Sequence, residues 1–315
     1  KVKGAPKTRR VLGNKRLVDT WCVRGGPVVK DNRVYFAAGI WPFMGIFLRA
    51  VEAQTGAPVW TNSGDGSLYL IQPHQAEAFA GLAPQGSLAI AGETLLVPNG
   101  RSAAAAYNLK TGRLLHYIPN QRLGGHKLLA GEQHFFLGDG ALDLENGKAL
   151  AKIGAVEVLA GQTAFALRSG LPVWFDLGVV LKAPPGPKSP PGPGNSLGNK
   201  PWTHEPAGQL AFSKVTSLLK AGERLYAAAT GCVAVFALPL KDRQAPLRTW
   251  PVEGRPAYLA AGAGVLLVST LEGRLIALGP PEEREAIRNA TLELPASPPP
   301  APEGSAFGKM STRAS

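Results

Sequence analysis

The chain has 315 residues, of which 45% are hydrophobic and 18% are charged, and its formal net charge is +12. This composition allows a sizeable core, and the 38 Gly and 28 Pro indicate frequent turns and argue against a bundle of long helices. No run of about 18 apolar residues occurs, so the sequence predicts no membrane-spanning helix.

The positive charge is concentrated at the N-terminus, where seven basic residues precede the first acidic residue, Asp19. Residues 1–20 are therefore interpreted as a basic arm, either a solvated linker or a weak contact for an anionic surface. A specific nucleic-acid partner is not predicted, because the body shows no basic stripe with interleaved aromatic residues. Since the chain begins with Lys1 rather than Met, we expect residues to precede it in the natural protein, so a signal peptide cannot be assessed.

A repeated strand–turn–strand pattern begins at residue 27. Each copy has a short apolar strand, a polar or Gly-containing turn, and a second strand rich in small and β-branched residues. This is the pattern of a tight hairpin between buried strands. The six copies lie at 27–38, 88–97, 128–137, 158–167, 218–227 and 258–267.

A second element follows several copies. Residues 50–60 form an apolar strand, a Thr-Gly turn and a strand ending in Trp60, and similar segments lie at 106–115, 141–150 and, in part, 275–278. Together the two elements make four strands per unit of about 40 residues, the size of a propeller blade. The sequence therefore predicts an all-β fold, a β-propeller of four-stranded blades with about six recognisable repeats that would fit in a ring of seven or eight blades. A β-solenoid and a pair of β-sandwiches are the alternatives.

The predicted propeller covers residues 21–279. A Pro- and Gly-rich insertion at 183–205 interrupts it and is interpreted as an exposed polyproline-like loop, with a ligand for a proline-recognition domain as the alternative. Residues 280–315 are predicted to contain a short helix over 282–290 and then a Pro-rich disordered tail.

The pattern Ala-x-(Asp/Glu/Asn)-x-x-Thr-Gly-x-x-x-Trp at 50–60, and less completely at 106–116, resembles the blades of quinoprotein-like propellers. That family, with its PQQ-like repeats, includes quinone-dependent alcohol dehydrogenases and an outer-membrane assembly lipoprotein. Segments 25–45 and 72–86 are more specifically similar to large bacterial proteins with such propellers, some of which carry a methyltransferase-like domain. The resemblance implies an eight-bladed or similar ring, a periplasmic or extracellular location, and further domains or blades beyond this chain.

Quinone-dependent members of that family use pyrroloquinoline quinone (PQQ), a calcium site and a catalytic Asp, and many have a disulfide between adjacent Cys. Here Cys22 and Cys232 lie in different repeats, and no cluster of carboxylates stands out as a calcium site. The Gly-Ala-Gly at 262–264 precedes a strand, so it predicts a hairpin turn rather than a cofactor-binding loop. We therefore expect no catalytic residue, metal or cofactor, and a non-catalytic binding or scaffolding role. A PQQ-dependent oxidoreductase and an accessory or sensory propeller of a multidomain enzyme are the alternatives.

The connections between residues 41 and 86 are the most unusual part of the chain, because bulky apolar residues replace polar turn residues there. Long loops on a rigid scaffold commonly carry binding residues, in which aromatic side chains supply buried area and polar groups supply orientation. We predict that a protein or small-molecule ligand binds there, at a propeller face, with a structural plug as the alternative. The predicted site residues are Trp41, Phe43, Tyr69, Gln72, His74 and Gln85.

Overall fold

The computed structural model describes residues 2–13, 15–64, 68–71, 75–100, 102–119, 123–125, 127–182 and 204–279. Within these ranges the chain is a β-propeller, in which six antiparallel sheets follow one another along the sequence. Five have four strands and the sixth has three, so the predicted all-β propeller of four-stranded blades is confirmed. The predicted helix and tail at 280–315, and residues 183–203 of the predicted insertion, lie outside the described residues.

The strands of each blade pair in chain order, so that each blade is an antiparallel meander. An N-terminal hairpin of β1 (Arg10–Gly13) and β2 (Arg16–Asp19) precedes blade 1, which consists of β3 (Val28–Lys30), β4 (Arg33–Ala38), β5 (Phe47–Glu52) and β6 (Pro58–Asn62). A connecting hairpin of β7 (Tyr69–Ile71) and β8 (Glu77–Phe79) leads to blade 2, with β9 (Ala89–Ala91), β10 (Thr94–Asn99), β11 (Ser102–Asn108) and β12 (Leu114–His116).

The remaining blades follow the same order. Blade 3 consists of β13 (Leu128–Ala130), β14 (His134–Leu137), β15 (Gly140–Asp143) and β16 (Ala149–Lys152), and blade 4 of β17 (Ala155–Ala160), β18 (Thr163–Arg168), β19 (Leu171–Asp176) and β20 (Gly208–Gln209). Blade 5 consists of β21 (Val215–Ala221), β22 (Arg224–Ala229), β23 (Cys232–Ala237) and β24 (Arg248–Pro251), and blade 6 of β25 (Pro256–Gly262), β26 (Val265–Thr270) and β27 (Leu275–Leu278).

One short helix, α1 (Leu177–Val180), follows β19 in blade 4. The Asp176 carboxylate caps it by accepting the Gly178 N–H at 2.8 Å, as an N-cap residue does. The predicted insertion therefore falls between the third and fourth strands of one blade, after this helix. That position explains why the sequence repeat was lengthened there without loss of a blade.

Both faces of most blades are buried, so adjacent residues on one strand enter different cores. Because side chains alternate across a strand, Leu95 packs between blades 1 and 2 whereas Leu96 packs between blades 2 and 3. Phe135 and Phe136 divide in the same way between the two neighbours of blade 3. Such two-sided burial is the physical reason that the strands are continuously apolar in the sequence rather than alternating.

The last strand of a blade contacts a turn of the next blade. In blade 1, the Trp60 indole N–H donates to the Leu109 carbonyl at 3.0 Å, and the ring covers Gly112, where a Cβ would lie 2.4 Å from the ring. In blade 2, His116 Nε2 lies 2.9 Å from a backbone carbonyl oxygen of blade 3, and its ring covers Gly147. Both glycines have positive φ, so these turns need glycine for conformation and for space.

The N-terminal segment lies against the face of blade 1 that points away from blade 2. The Cα of Gly4 is so close to this face that a Cβ there would lie 2.9 Å from the Ala38 Cβ. Trp21 stacks edge-on against Phe47 on the same face, with ring centroids 5.8 Å apart. This N-terminal segment, the described residues up to Trp21, includes a hairpin and most of the basic arm predicted for residues 1–20, and it covers the first blade.

The predicted turn at 262–264 is confirmed. Gly262 pairs with Val265 across the hairpin of β25 and β26, and both Ala263 and Gly264 have positive φ. This is the conformation of a tight two-residue hairpin turn.

Candidate functional site

Four aromatic rings form a continuous row beside blade 1. Trp41 and Phe43 belong to the loop between β4 and β5, and their ring centroids are 6.4 Å apart. Phe43 lies 5.8 Å from Phe79, and Phe79 lies 5.2 Å from Tyr69 in an edge-on arrangement. These separations are typical of favourable aromatic pairs, so the four rings act as one cluster, the aromatic row.

The aromatic row is largely exposed to solvent. Phe43, Tyr69 and Phe79 expose 55%, 56% and 49% of their surface. Tyr69 and Phe79 are direct cross-strand partners in the hairpin of β7 and β8, and Ile71, which is 59% exposed, shares their face because it lies two residues along the strand. The hairpin thus presents an apolar face rather than the polar one expected of a solvated connection.

The loop that carries Trp41 and Phe43 has a fixed conformation. Pro42–Met44 forms one turn of 3-10 helix, which Gly45 ends with a φ of 97° and a hydrogen bond from its N–H to the Pro42 carbonyl. The Trp21 indole N–H donates to the Met44 carbonyl at 2.9 Å. Two rings of the row are therefore positioned by the N-terminal segment as well as by blade 1.

The other side of the row is attached to blade 2 through Asn99, at the end of β10, which is 6% exposed. The Asn99 side-chain oxygen accepts the Ala83 N–H at 2.5 Å, and its amide donates to the Tyr117 hydroxyl. That hydroxyl in turn donates to the Ala80 carbonyl at 3.1 Å, and burial raises the pKa of Tyr117. With Leu82 buried in the core between blades 1 and 2, these contacts hold the segment that follows Phe79.

The structure brings together three of the six predicted site residues, namely Trp41, Phe43 and Tyr69. Gln72 and His74 lie outside the described residues. Gln85 is exposed and makes a β-bridge to Asn99, with its N–H donating to the Pro98 carbonyl, so its backbone belongs to the attachment to blade 2.

Phe79, Asn99 and Tyr117 were not predicted as part of this region. Phe79 lies on a strand of only three residues, Glu77–Phe79, which is too short for its sequence pattern to predict a strand. Asn99 lies between a proline and a glycine in the sequence, a pattern typical of a turn residue. Its buried hydrogen bonds depend on where two distant segments meet.

No group of three or more His, Cys, Asp or Glu side chains that could hold a metal ion occurs in the described part of the chain. Two neighbouring carboxylates of blade 3 make local contacts: Asp143 accepts the Glu145 and Asn146 N–H groups at 2.8 and 3.2 Å, and Asp139 lies 3.4 Å from the Lys152 ammonium. The first is the ordinary chemistry of a turn. Both cysteines are free thiols.

No protein-family model and no curated protein matches the chain. Solved structures match it at low identity. The C-terminal WD40 domain of Sif2 is 12% identical with a TM-score of 0.51, covering 88% of this chain and 76% of that one. BamB from Moraxella catarrhalis is 13% identical with a TM-score of 0.44 over 82% and 85%. PorZ, a surface component of the type-IX secretion system of Porphyromonas gingivalis, is 14% identical with a TM-score of 0.47 over 82% and 33%.

The similarity to the WD40 domain supports the propeller fold and, at this identity, nothing beyond the fold. Within the described ranges, no helix has the length and apolarity needed to cross a bilayer.

Proposed function

We propose that this protein is a non-catalytic propeller that binds a protein partner through the aromatic row. The observation that carries the proposal is that Phe43, Tyr69 and Phe79 are about half exposed and in mutual contact. Contiguous apolar surface exposed on a folded domain commonly marks an interaction site. Aromatic residues are also the residues that most often dominate the binding energy of protein interfaces.

The mounting of the row supports the same function. Its rings stand on a 3-10 turn anchored by Trp21 and on a hairpin whose exit is tied to Asn99. A preorganised aromatic surface loses little conformational entropy on binding, so more of the buried area is realised as affinity. The alternative is that this segment is a structural plug of the propeller. The buried Leu82 could act as such a plug, but a plug gives no role to aromatic side chains that face solvent.

A peptide-display selection against the whole chain tests this proposal. Peptides selected on the wild type should lose at least roughly tenfold in affinity for the double variant Phe43→Ser/Phe79→Ser, because two aromatic contacts are removed. The matched control is Tyr258→Ser/Leu275→Ser, which removes exposed apolar side chains from blade 6 and should leave the affinity unchanged. Selected peptides that do not distinguish the two double variants would refute the aromatic row as the site.

The predicted polar residues Gln72 and His74 can be tested in the same assay. Weaker binding of the Gln72→Ala/His74→Ala variant, at an unchanged melting temperature, would place them in the site. A lower melting temperature with unchanged binding would favour the plug.

The proposed function requires no cofactor. Added PQQ with calcium should neither bind tightly nor support alcohol oxidation. Micromolar binding with dye reduction would instead favour the oxidoreductase alternative.

We infer an extracytoplasmic location from the resemblance to quinoprotein-like propellers. Fractionation of the source cells would test the location, and recovery in the cytoplasmic fraction would contradict it.

A further inference from the structure

The hairpin of β1 and β2 exposes two leucines side by side. Leu12 and Leu17 are direct cross-strand partners, and they expose 68% and 62% of their surface. The neighbouring pair, Val11 and Val18, is half-buried on the opposite face. The more apolar and flexible side chains of this small sheet therefore point to solvent, which is the reverse of what stability alone would favour.

Five exposed cations lie close to this leucine pair in the sequence. They share a short stretch of chain and carry no acidic neighbour except Asp19, whose carboxylate accepts the Trp21 N–H at 2.9 Å. Within the described ranges, none of these cations forms an ion pair. The exposed cations are Lys7, Arg9, Arg10, Lys15 and Arg16.

The geometry places charge and apolar surface on the same part of the hairpin. Arg10 lies two residues before Leu12 and so shares its face, whereas Lys15 lies at the tip with a φ of 62°. The base of the hairpin is fixed, because Thr20 is fully buried and its N–H donates to the Arg9 carbonyl at 2.8 Å. The exposed leucine pair thus lies on a strand pair whose base is fixed.

From this combination we propose that the exposed face of the β1–β2 hairpin docks on the surface of an anionic lipid bilayer. Its cations meet the acidic headgroups, and Leu12 and Leu17 enter the boundary between headgroups and acyl chains. Interfacial binding of this kind draws on both buried apolar area and attraction to anionic lipids. A nucleic acid would use the cations and leave the leucines without a partner, so the leucine pair is what favours a bilayer.

Co-sedimentation of the whole chain with vesicles tests the proposal. Binding is expected to vesicles of equal parts phosphatidylcholine and phosphatidylglycerol, and not to vesicles of phosphatidylcholine alone. It should weaken as salt is added, because salt screens the headgroup attraction. Equal binding to both vesicles, or no binding to either, would overturn the proposal.

Two double variants separate the contributions. Arg10→Gln/Lys15→Gln should weaken binding by roughly 25-fold, because each cation near an anionic surface contributes about 1 kcal/mol to the binding free energy. Leu12→Ser/Leu17→Ser should weaken it by roughly tenfold or more, because the inserted apolar area is lost. Since all four side chains are exposed, the melting temperature should not change.

Matched controls keep the test specific. Arg113→Gln/Lys148→Gln removes the same charge from exposed blade turns, and Leu247→Ser/Leu275→Ser removes two exposed leucines elsewhere. Both should bind anionic vesicles as the wild type does. If the leucine variant of the hairpin also binds like the wild type, while a DNA duplex competes for the cations, the hairpin is a general polyanion contact and the bilayer proposal is wrong.

Discussion

The first and last blades differ in what covers the face that points away from the rest of the propeller. On blade 1 that face is buried beneath the N-terminal segment, and Phe36 on it is 8% exposed. On blade 6, Tyr258 and Leu275 lie on the face turned away from blade 5 and expose 60% and 65%. A stacked repeat buries its faces only where a neighbour exists, and within the described residues no neighbour covers this face of blade 6.

The difference shows that one sequence pattern has two structural outcomes. The repeats of blades 1 and 6 have the same order of strand, turn and strand, yet corresponding residues can be core in one blade and surface in the other. Leu48, the partner of Ala37 in blade 1, is 1% exposed, whereas Leu275, the partner of Ser269 in blade 6, is 65% exposed. Burial at the ends is therefore a property of what lies alongside, and it can be tested by matched substitutions.

The largest effect is expected from truncating an aromatic residue on these two faces. Phe36→Ala should lower the free energy of unfolding by about 3 kcal/mol, because it leaves a cavity beneath the N-terminal segment. Tyr258→Ala, which truncates an aromatic residue on the open face of blade 6, should alter it by no more than about 0.5 kcal/mol. Denaturant unfolding measures both. A comparable loss at Tyr258 would mean that the blade 6 face is covered in solution.

A second pair compares the two faces of blade 6 itself. Leu266 is 5% exposed in the core shared with blade 5, whereas Leu275 lies on the opposite, open face. Leu266→Ala should cost about 2–3 kcal/mol, and Leu275→Ala should be nearly neutral. Equal costs in thermal unfolding would contradict the observed orientation of the blade.

A smaller change tests the polar attachment of the cap on blade 1. Trp21→Phe keeps an aromatic ring against Phe47 but removes the indole N–H that donates to the Met44 carbonyl. We expect a loss of about 1 kcal/mol, the usual net contribution of one hydrogen bond. If the loss matched that of Phe36→Ala, ring packing rather than the hydrogen bond would be the main effect of the substitution.

The smallest effect concerns an exposed ion pair of blade 6. The backbone N–H and guanidinium of Arg255 hold the pKa of Glu272 at about 2, below its ordinary value of 4.5. A carboxyl group with a lowered pKa stabilises the folded state at pH values above its ordinary pKa. This contribution is lost as the pH falls from 4.5 to about 2.

Glu272→Gln should therefore lower the melting temperature slightly at neutral pH and leave it unchanged at a pH of about 2. Glu132→Gln, which removes an exposed carboxylate without an ion pair in the described ranges, is the control and should leave the melting temperature unchanged throughout. A difference between Glu272→Gln and the wild type that persisted at low pH would contradict the assignment of the shift to Arg255.

The sequence by itself determined the repeat and the position of most strands. Apolar strands flanking a two-residue turn, as at 27–38 and 258–267, fold locally into hairpins because the turn residues accept positive φ. It also drew attention to Trp41, Phe43 and Tyr69, since bulky apolar residues in a connection stand out against the polar residues usual there. The structure places these three in the aromatic row, and their role in binding stays a prediction.

Only the tertiary structure decided which segments that are distant in the sequence become neighbours. The fourth strand of blade 4, Gly208–Gln209, is too short to be recognised and pairs with β19 across the insertion. The roles of Phe79 and Asn99 likewise arise where segments distant in sequence meet. The N-terminal segment became a cap for the same reason: its basic residues describe a solvated arm, and its contacts with Ala38 and Phe47 exist only because blade 1 has an uncovered apolar face whose burial stabilises the fold.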